Sequence, residues 1–215
     1  MEEAGRDRMG MDRRRLLGAG LAALAGAALG AGAAPAQDAD AAAFIQRFAA
    51  EAIQMLGNRG LDRAERVRRF EALVREGFDL DTISQLALGQ HWRTAREDQR
   101  RRFTELFERV LLASYARRLD EYTNQTLRVG TTSPAGRDTM VQSWIENGGQ
   151  PVRVDWRVRE SNGGFKILDV VVEGVSLLVT HRNELATVIE RAGGVDGLIA
   201  HLEQRLEQEA AAGAG

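Results

Sequence analysis

Two hydrophobic periods divide the chain. From Asp40 to Leu119 apolar side chains return every three or four positions, the spacing of a helix buried along one stripe; from Gln125 to Val172 they return every second position, the spacing of a strand with one covered face. Asp40–Leu56 carries Phe44, Ile45, Phe48, Ala52, Met55 and Leu56 on one stripe and ends at Gly57 and Gly60. Asp62 opens a second helix, with Glu65 at capping-box spacing and Val67, Phe70, Leu73 and Val74 along its apolar side. A short helix is predicted over Asp81–Leu88, stopped by Gly89. The longest helix is expected to begin at Thr94, paired with Glu97 in a second capping box, and its stripe runs through Phe103, Leu106, Phe107, Val110, Leu111, Ser114, Tyr115 and Leu119.

Four strands are predicted next, at Leu127–Thr132, Thr139–Glu146, Pro151–Arg159 and Phe165–Val172. Their separators, Pro134-Ala135-Gly136, Asn147-Gly148-Gly149 and Asn162-Gly163-Gly164, are turn formers, so the strands should form an antiparallel meander. In the third strand Val152, Val154, Trp156 and Val158 face one way, and Arg153, Asp155, Arg157 and Arg159 the other. The fourth is apolar on both sides, with Ile167 and Val171 opposite Leu168, Val170 and Val172, which predicts a central, doubly covered strand. Val175–Val179 reads as a fifth strand. Helices over Arg182–Arg191 and Val195–Glu209 close the chain around Gly193-Gly194. The expected fold class is α+β, an antiparallel sheet of four to five strands with about six helices.

The N-terminal stretch follows neither period. Met11–Ala36 opens on Arg13-Arg14-Arg15, continues as a Gly/Ala/Leu run from Leu16 to Ala33 and ends on Ala34-Pro35-Ala36, the layout of an export signal with a small-x-small cleavage site. Residues 1–36 are read as a cleavable leader and residues 37–215 as one domain working outside the cytoplasm, which removes ATP, NAD and cytosolic DNA from the expected ligands. Asp12 to Leu17 approximates the twin-arginine pattern without its usual Ser or Thr, leaving twin-arginine and ordinary secretion both open. The run is long enough to span a bilayer, so an uncleaved anchor is the alternative; the small-residue cleavage site favours removal.

Cleavage leaves 179 of the 215 residues, ample for one core. The leader carries one net positive charge and the remainder about −3, against −2 for the whole chain, so net charge lends no support to nucleic-acid binding. There is no cysteine, hence no disulfide, thiolate metal site or thiol nucleophile. His91, His181 and His201 are far apart and lack ligand spacing, and no phosphate-binding or dinucleotide fingerprint occurs. No cofactor or metal is expected. Asp155, Asp169 and Glu173 lie on or beside strands as a candidate acid/base set, with ion pairs to Arg153 or Arg157 as the plainer reading.

A set of short motifs carries a resemblance: Phe78-Asp79, then Leu88-Gly89-Gln90-His91-Trp92-Arg93, Gln99, Phe103, Phe107 and Tyr115, then Val154-Asp155-Trp156-Arg157, the run Phe165–Leu177, Arg182 with Glu184, and Gly193–Leu198. Over roughly residues 40–207 the chain resembles the MlaC family of periplasmic lipid carriers and the related toluene-tolerance and hopanoid-associated proteins. Phe165 departs from that pattern, which leads one to expect Trp. The resemblance implies a curved antiparallel sheet wrapped by about six helices around a deep apolar cavity that takes the acyl tails of a phospholipid or hopanoid-like lipid. It also implies exchange with an outer-membrane lipoprotein complex and an inner-membrane ABC transporter complex.

The residues fit that implication. Each buried methylene gains about 0.8 kcal/mol, so tails leave a bilayer only for an enclosed apolar wall. Val152, Val154, Trp156, Val158 and Ile167 are candidates for one wall, Phe103, Phe107, Val110 and Leu111 for another, with Tyr115 and Trp144 presenting polar tips at the mouth; periodicity alone does not separate a lining from a filled core. Arg153 and Arg157, with Arg159, are candidates for contact with an acidic partner face, against an ordinary solvated sheet surface. Two other functions stay in view: a periplasmic binding protein for a small soluble solute of an ABC transporter, and an enzyme using the acidic set.

Overall fold

The computed structural model describes residues 36–213, apart from residues 59, 118, 120–124 and 147. The expected export signal, at residues 1–36, lies outside the described residues except for Ala36. Seven helices and one five-stranded sheet are found among the described residues. They run α1 (Ala36–Gly57), α2 (Arg63–Gly77), α3 (Leu80–Leu88), α4 (His91–Thr94), α5 (Glu97–Ala116), β1 (Thr126–Ala135), β2 (Asp138–Glu146), β3 (Val152–Ser161), β4 (Gly164–Val172), β5 (Val175–Ser176), α6 (Leu177–Ala192) and α7 (Val195–Gly213). The sheet is an open antiparallel meander in the order β1-β2-β3-β4-β5, so the fold is α+β with the topology the turn formers implied. No described helix is long and apolar enough to cross a membrane.

Local chemistry explains the boundaries. Asp62 caps α2, accepting a hydrogen bond from the Glu65 amide at 2.8 Å. Asp79, not Asp81, opens α3, accepting from the Thr82 amide at 2.9 Å and the Thr82 hydroxyl at 2.7 Å. Thr94 ends the single turn α4 instead of opening the long helix. That helix starts at Glu97, where the Gln99 side chain reaches back 2.8 Å to the Arg96 amide. Leu177 and Leu178 are helical rather than part of a fifth strand, because Ser176 caps α6 by accepting from the Val179 amide at 3.0 Å. Between β4 and β5 the turn Glu173-Gly174 takes positive φ at both residues (48° and 81°), the geometry that a two-residue hairpin needs.

Two apolar clusters form. One belongs to the helices and gathers Ile83, Leu88, Phe103, Leu106, Phe107 and Val110 with Leu178, Leu185, Ile189, Leu198 and Leu202. The other lies where α1 covers one face of the sheet and gathers Ala41 and Ile45 with Val141, Val154, Trp156, Val158 and Ile167. A bulge at Leu168 resets the alternation of β4: Val158 pairs with Ile167 but Arg157 with Asp169. Ile167, Val170 and Val172 therefore all join the α1-covered face, where strict alternation separates Ile167 from the other two.

The motifs that carried the resemblance are mostly joints between these bodies. Phe78 packs against both clusters, and the Asp79 amide donates to the Ile167 carbonyl at 3.1 Å. Asp169 accepts from the Ser176 hydroxyl at 2.6 Å and the Leu178 amide at 3.0 Å, tying β4 to the start of α6. Arg182 on α6 donates to the Leu86 carbonyl on α3 at 2.9 Å, and Gln99 on α5 donates to Asp196 on α7 at 2.8 Å.

Candidate functional site

The α1-covered face of the sheet is graded in burial along its length. Toward the β1–β2 and β3–β4 turns, Val141 and Ile167 are 0% exposed and Val158 1%. An aromatic chain seals this end: Phe44 lies 6.0 Å from Phe165, and Phe48 lies 5.7 Å from Phe78 and 6.1 Å from Trp156, centroid to centroid. Trp156 is also fixed by a buried relay, its indole N–H donating to Ser143 Oγ at 2.9 Å, which donates to the Val154 carbonyl at 2.7 Å. At the opposite end the same face continues as Leu127, Val129, Ile145, Val152 and Val172, all only partly buried. Leu127 pairs with Ile145 and Ile145 with Val152, so this is a continuous apolar row.

Two other elements reach that end. The turn after Val172 leads straight into β5 and α6, which expose Val175 (58%) and Val179 (46%). One turn into α6, His181 Nε2 stands 3.5 Å from the Tyr115 hydroxyl, bringing the C-terminal part of α5 alongside. That part of α5 is apolar all round. Phe103, Phe107 and Val110 point into the helical cluster, with Phe103 and Phe107 stacked at 5.3 Å. Leu112 and Ala116 fall on the opposite side by helical spacing; they are buried (3% and 7%) yet belong to neither cluster. The two cores thus meet at Phe78 and present apolar surface to a shared end.

The residues singled out from the sequence divide accordingly. Val152, Val154, Trp156, Val158 and Ile167 do share one sheet face, with Val152 at its open end. Phe103, Phe107 and Val110 are packed within the helices, Leu111 lies at the rim of that cluster, and Tyr115 sits between it and α6. The structure does not bring Trp144 to this group. Trp144 pairs with Arg153 and Arg128 on the outer face, with the Arg128 guanidinium 4.3 Å over its ring and Gly130 beneath, where a Cβ would overlap the indole. Leu127, Ile145, Val172 and Leu112 were missed as site candidates. The legible hint was the uncharged run Val110–Ala116, too apolar for a helix with one buried stripe.

The outer face is a lattice of paired charges. Arg153 holds Asp155 at 2.8 Å, and Arg157 and Arg159 each reach Asp138 at 2.6 Å, so the arginines proposed for partner contact already have partners in the sheet. Burial pushes the Asp138 carboxyl up, but hydrogen bonds from Arg159 and Arg157 outweigh it and hold it below the usual aspartate range. The candidate acid/base set is equally committed: Asp155 to Arg153, Asp169 to the α6 cap, and Glu173 to the Arg153 amide. One pocket of about 380 Å³ lies between α5 and α7, and another of about 350 Å³ lies beside Arg75, Phe78, Asp81 and Lys166. Both have charged rims, and neither is the apolar hollow expected beside the sheet.

Residues 46–204 match the family described as MlaC protein. The chain belongs to the MlaC family. An MlaC relative from Haemophilus influenzae, an intermembrane phospholipid transport system binding protein, is 24% identical over 136 residues, covering 60% of this chain and 63% of the relative. A toluene tolerance protein from Pseudomonas putida is 29% identical over 121 residues, covering 54% of this chain and 55% of that protein. These alignments thus span less than two thirds of either relative. A phospholipid-binding protein from Ralstonia solanacearum, solved in complex with a phospholipid, superposes with a TM-score of 0.71 at 29% identity and covers 80% of this chain and 99% of its own.

Proposed function

We propose that this chain is a periplasmic lipid carrier that shelters phospholipid acyl tails between the open end of the sheet and the C-terminal part of α5. The observation that carries the reading is the graded sheet face: five apolar residues at one end are left partly uncovered by the protein's own packing. The phospholipid complex of a relative with the same fold supports it. Leu127, Ile145, Val152 and Val172 would touch the tails from the sheet, and Leu112 and Tyr115 from α5. Apolar contact is all such a role demands, since a carrier gains by hiding methylenes and needs no reacting group. The pairing of Asp155, Asp169 and Glu173 within the scaffold supports a non-catalytic role. Residues 1–36 would act as the export leader, and the loaded protein would exchange lipid with an outer-membrane lipoprotein complex and an inner-membrane ABC transporter complex.

The test is direct. The protein is purified, extracted with organic solvent and examined by mass spectrometry, then offered vesicles. About one or two lipids per chain, exchangeable with vesicles, is the expected result; a hopanoid-like lipid in place of phospholipid would revise the cargo. A chain that carries no lipid and takes none from vesicles would end the proposal.

A further inference from the structure

Between the open and sealed ends of the sheet face stands one large side chain. The strand registers set the inner face in rows that step away from the open end. Leu127, Ile145 and Val152 form the first, Val129, Ser143, Val154 and Val172 the second, and Val141, Trp156 and Val170 the third. Trp156 belongs to the third row, but its indole N–H donates to Ser143 Oγ in the second, at 2.9 Å. The ring therefore leans toward the open end. Among the buried side chains of the sheet cluster it also keeps the most surface, 9% against 0–3% for the others.

The ring has no room to retreat. Phe48 meets it edge-on, 6.1 Å between centroids, and Phe78 stands 5.7 Å from Phe48. Phe48 is also pressed against the end of α2, where a Cβ at Gly77 would overlap its ring. Pushing the indole back would force these rings apart, which a close-packed interior resists. Turning it aside would leave its buried N–H without the Ser143 acceptor, whose own hydroxyl is tied to the Val154 carbonyl at 2.7 Å. Tryptophan suits such a place, since it joins a wide rigid ring to one polar anchor.

Row order turns this stop into a length. From Val152 to Trp156 the strand rises roughly 13 Å, four residues at about 3.3 Å each. A tail that enters at the open row and runs along β3 meets the indole at that depth or before it. Methylenes beyond the stop find no apolar wall, and each lowers affinity about fourfold relative to a bilayer that buries them all.

We infer that Trp156 is the floor of the tail site and sets the longest acyl chain the carrier shelters, with Ser143 as the residue that positions it. The inference rests on the carrier reading and adds a chain-length limit to it.

The test offers the purified protein vesicles of phosphatidylglycerols that differ only in the length of their saturated tails, in equal shares, and compares the acquired lipids by mass spectrometry. Uptake should hold level up to a limiting length and then fall about fourfold with each further methylene. Trp156→Phe, which leaves the Ser143–Val154 bond in place, should raise uptake of the first length beyond the limit about fourfold, and Trp156→Leu should admit longer tails still. A loss of stability alone would lower uptake of every length and leave the limit where it was. A second measurement keeps Trp156 and replaces the chain's other two tryptophans, Trp92→Phe and Trp144→Phe. Lipids brominated near the methyl end of the tail should then quench Trp156 fluorescence several-fold more than lipids brominated beside the glycerol, and this reading decides if the Trp156 variants fail to fold. Uptake without a limit, a limit that neither variant moves, or stronger quenching from the glycerol end overturns the floor and leaves the carrier reading standing. A wild type that acquires no lipid of any length removes the carrier reading, and the floor with it.

Discussion

At the turn end of the sheet, Val141, Val158 and Ile167 are sealed beneath α1, whereas at the other end Leu127, Ile145, Val152 and Val172 of the same face keep part of their surface open. Residue type does not separate the two ends, since valine and isoleucine occur at both. What differs is the element opposite. Over the sealed end, Ile45 and the rings of Phe44 and Phe48 fill the gap, and Phe78 clamps it to the helical core. Past the open end the chain turns through β5 into α6, and the C-terminal part of α5 comes alongside at Tyr115 and His181, while α5 is already packed on its other side against α6 and α7. The sealed end supplies stability. The open end supplies unfilled contact, which a ligand can use.

The comparison predicts unequal penalties. Ile167→Ala at the sealed end should cost about 3 kcal/mol, and Phe103→Ala in the helical cluster about 4, by transfer and cavity terms together. Val152→Ala at the open end should cost about 1 kcal/mol, since its side chain keeps part of its surface exposed in the folded state. Urea denaturation of the three variants tests the gradient; equal losses at Ile167 and Val152 would erase it.

Next in size is Asp138, which pins the outer side of the sealed end. Asp138→Ala should cost about 2 kcal/mol, because Arg159 and Arg157 lose a carboxylate that is itself fully buried, discounted for the partial exposure of both guanidiniums. Its depressed folded pKa sets the pH sign. The contribution is complete above the unfolded aspartate value of about 3.9 and drains away as pH falls through the lower folded value. Asp138→Asn should therefore flatten the loss of stability below pH ~4, read from urea midpoints across an acid series.

A third prediction separates stability from function. Val172→Ser at the open end should shift the urea midpoint by under about 1 kcal/mol yet reduce lipid taken from vesicles several-fold, since it replaces tail-facing hydrocarbon with a hydroxyl. Unchanged uptake would move the tail site away from this row. The smallest effect is expected at Arg153→Gln, a urea midpoint indistinguishable from wild type, because its pairing with Asp155 lies at the surface and is screened by solvent.

Much of this was legible in the sequence, for identifiable reasons. The alternation of β3 put Val152, Val154, Trp156 and Val158 on one face and the arginines on the other, and the pairing registers agree. Trp144 was misleading. Its alternation with Ser143 and Ile145 sends it to the outer face, where Arg128 and the missing Cβ of Gly130 give the indole a surface berth. Leu177 and Leu178 looked like strand residues because local propensity is weak beside a cap, and Ser176 with Asp169 turned them into helix. The fate of Leu112 was hidden, since helical periodicity marks the stripe a helix buries first and is silent about a second.

By itself the sequence determined most element types, the meander and the two apolar periods, because each depends on residues close together along the chain, and its short motifs pointed to the family. Only the tertiary structure decided which stretch of apolar surface is filled and which is left open, and which charges are neutralised in pairs. Those outcomes depend on the element packed opposite. A side chain's periodicity says which way it points, and nothing about what waits for it there.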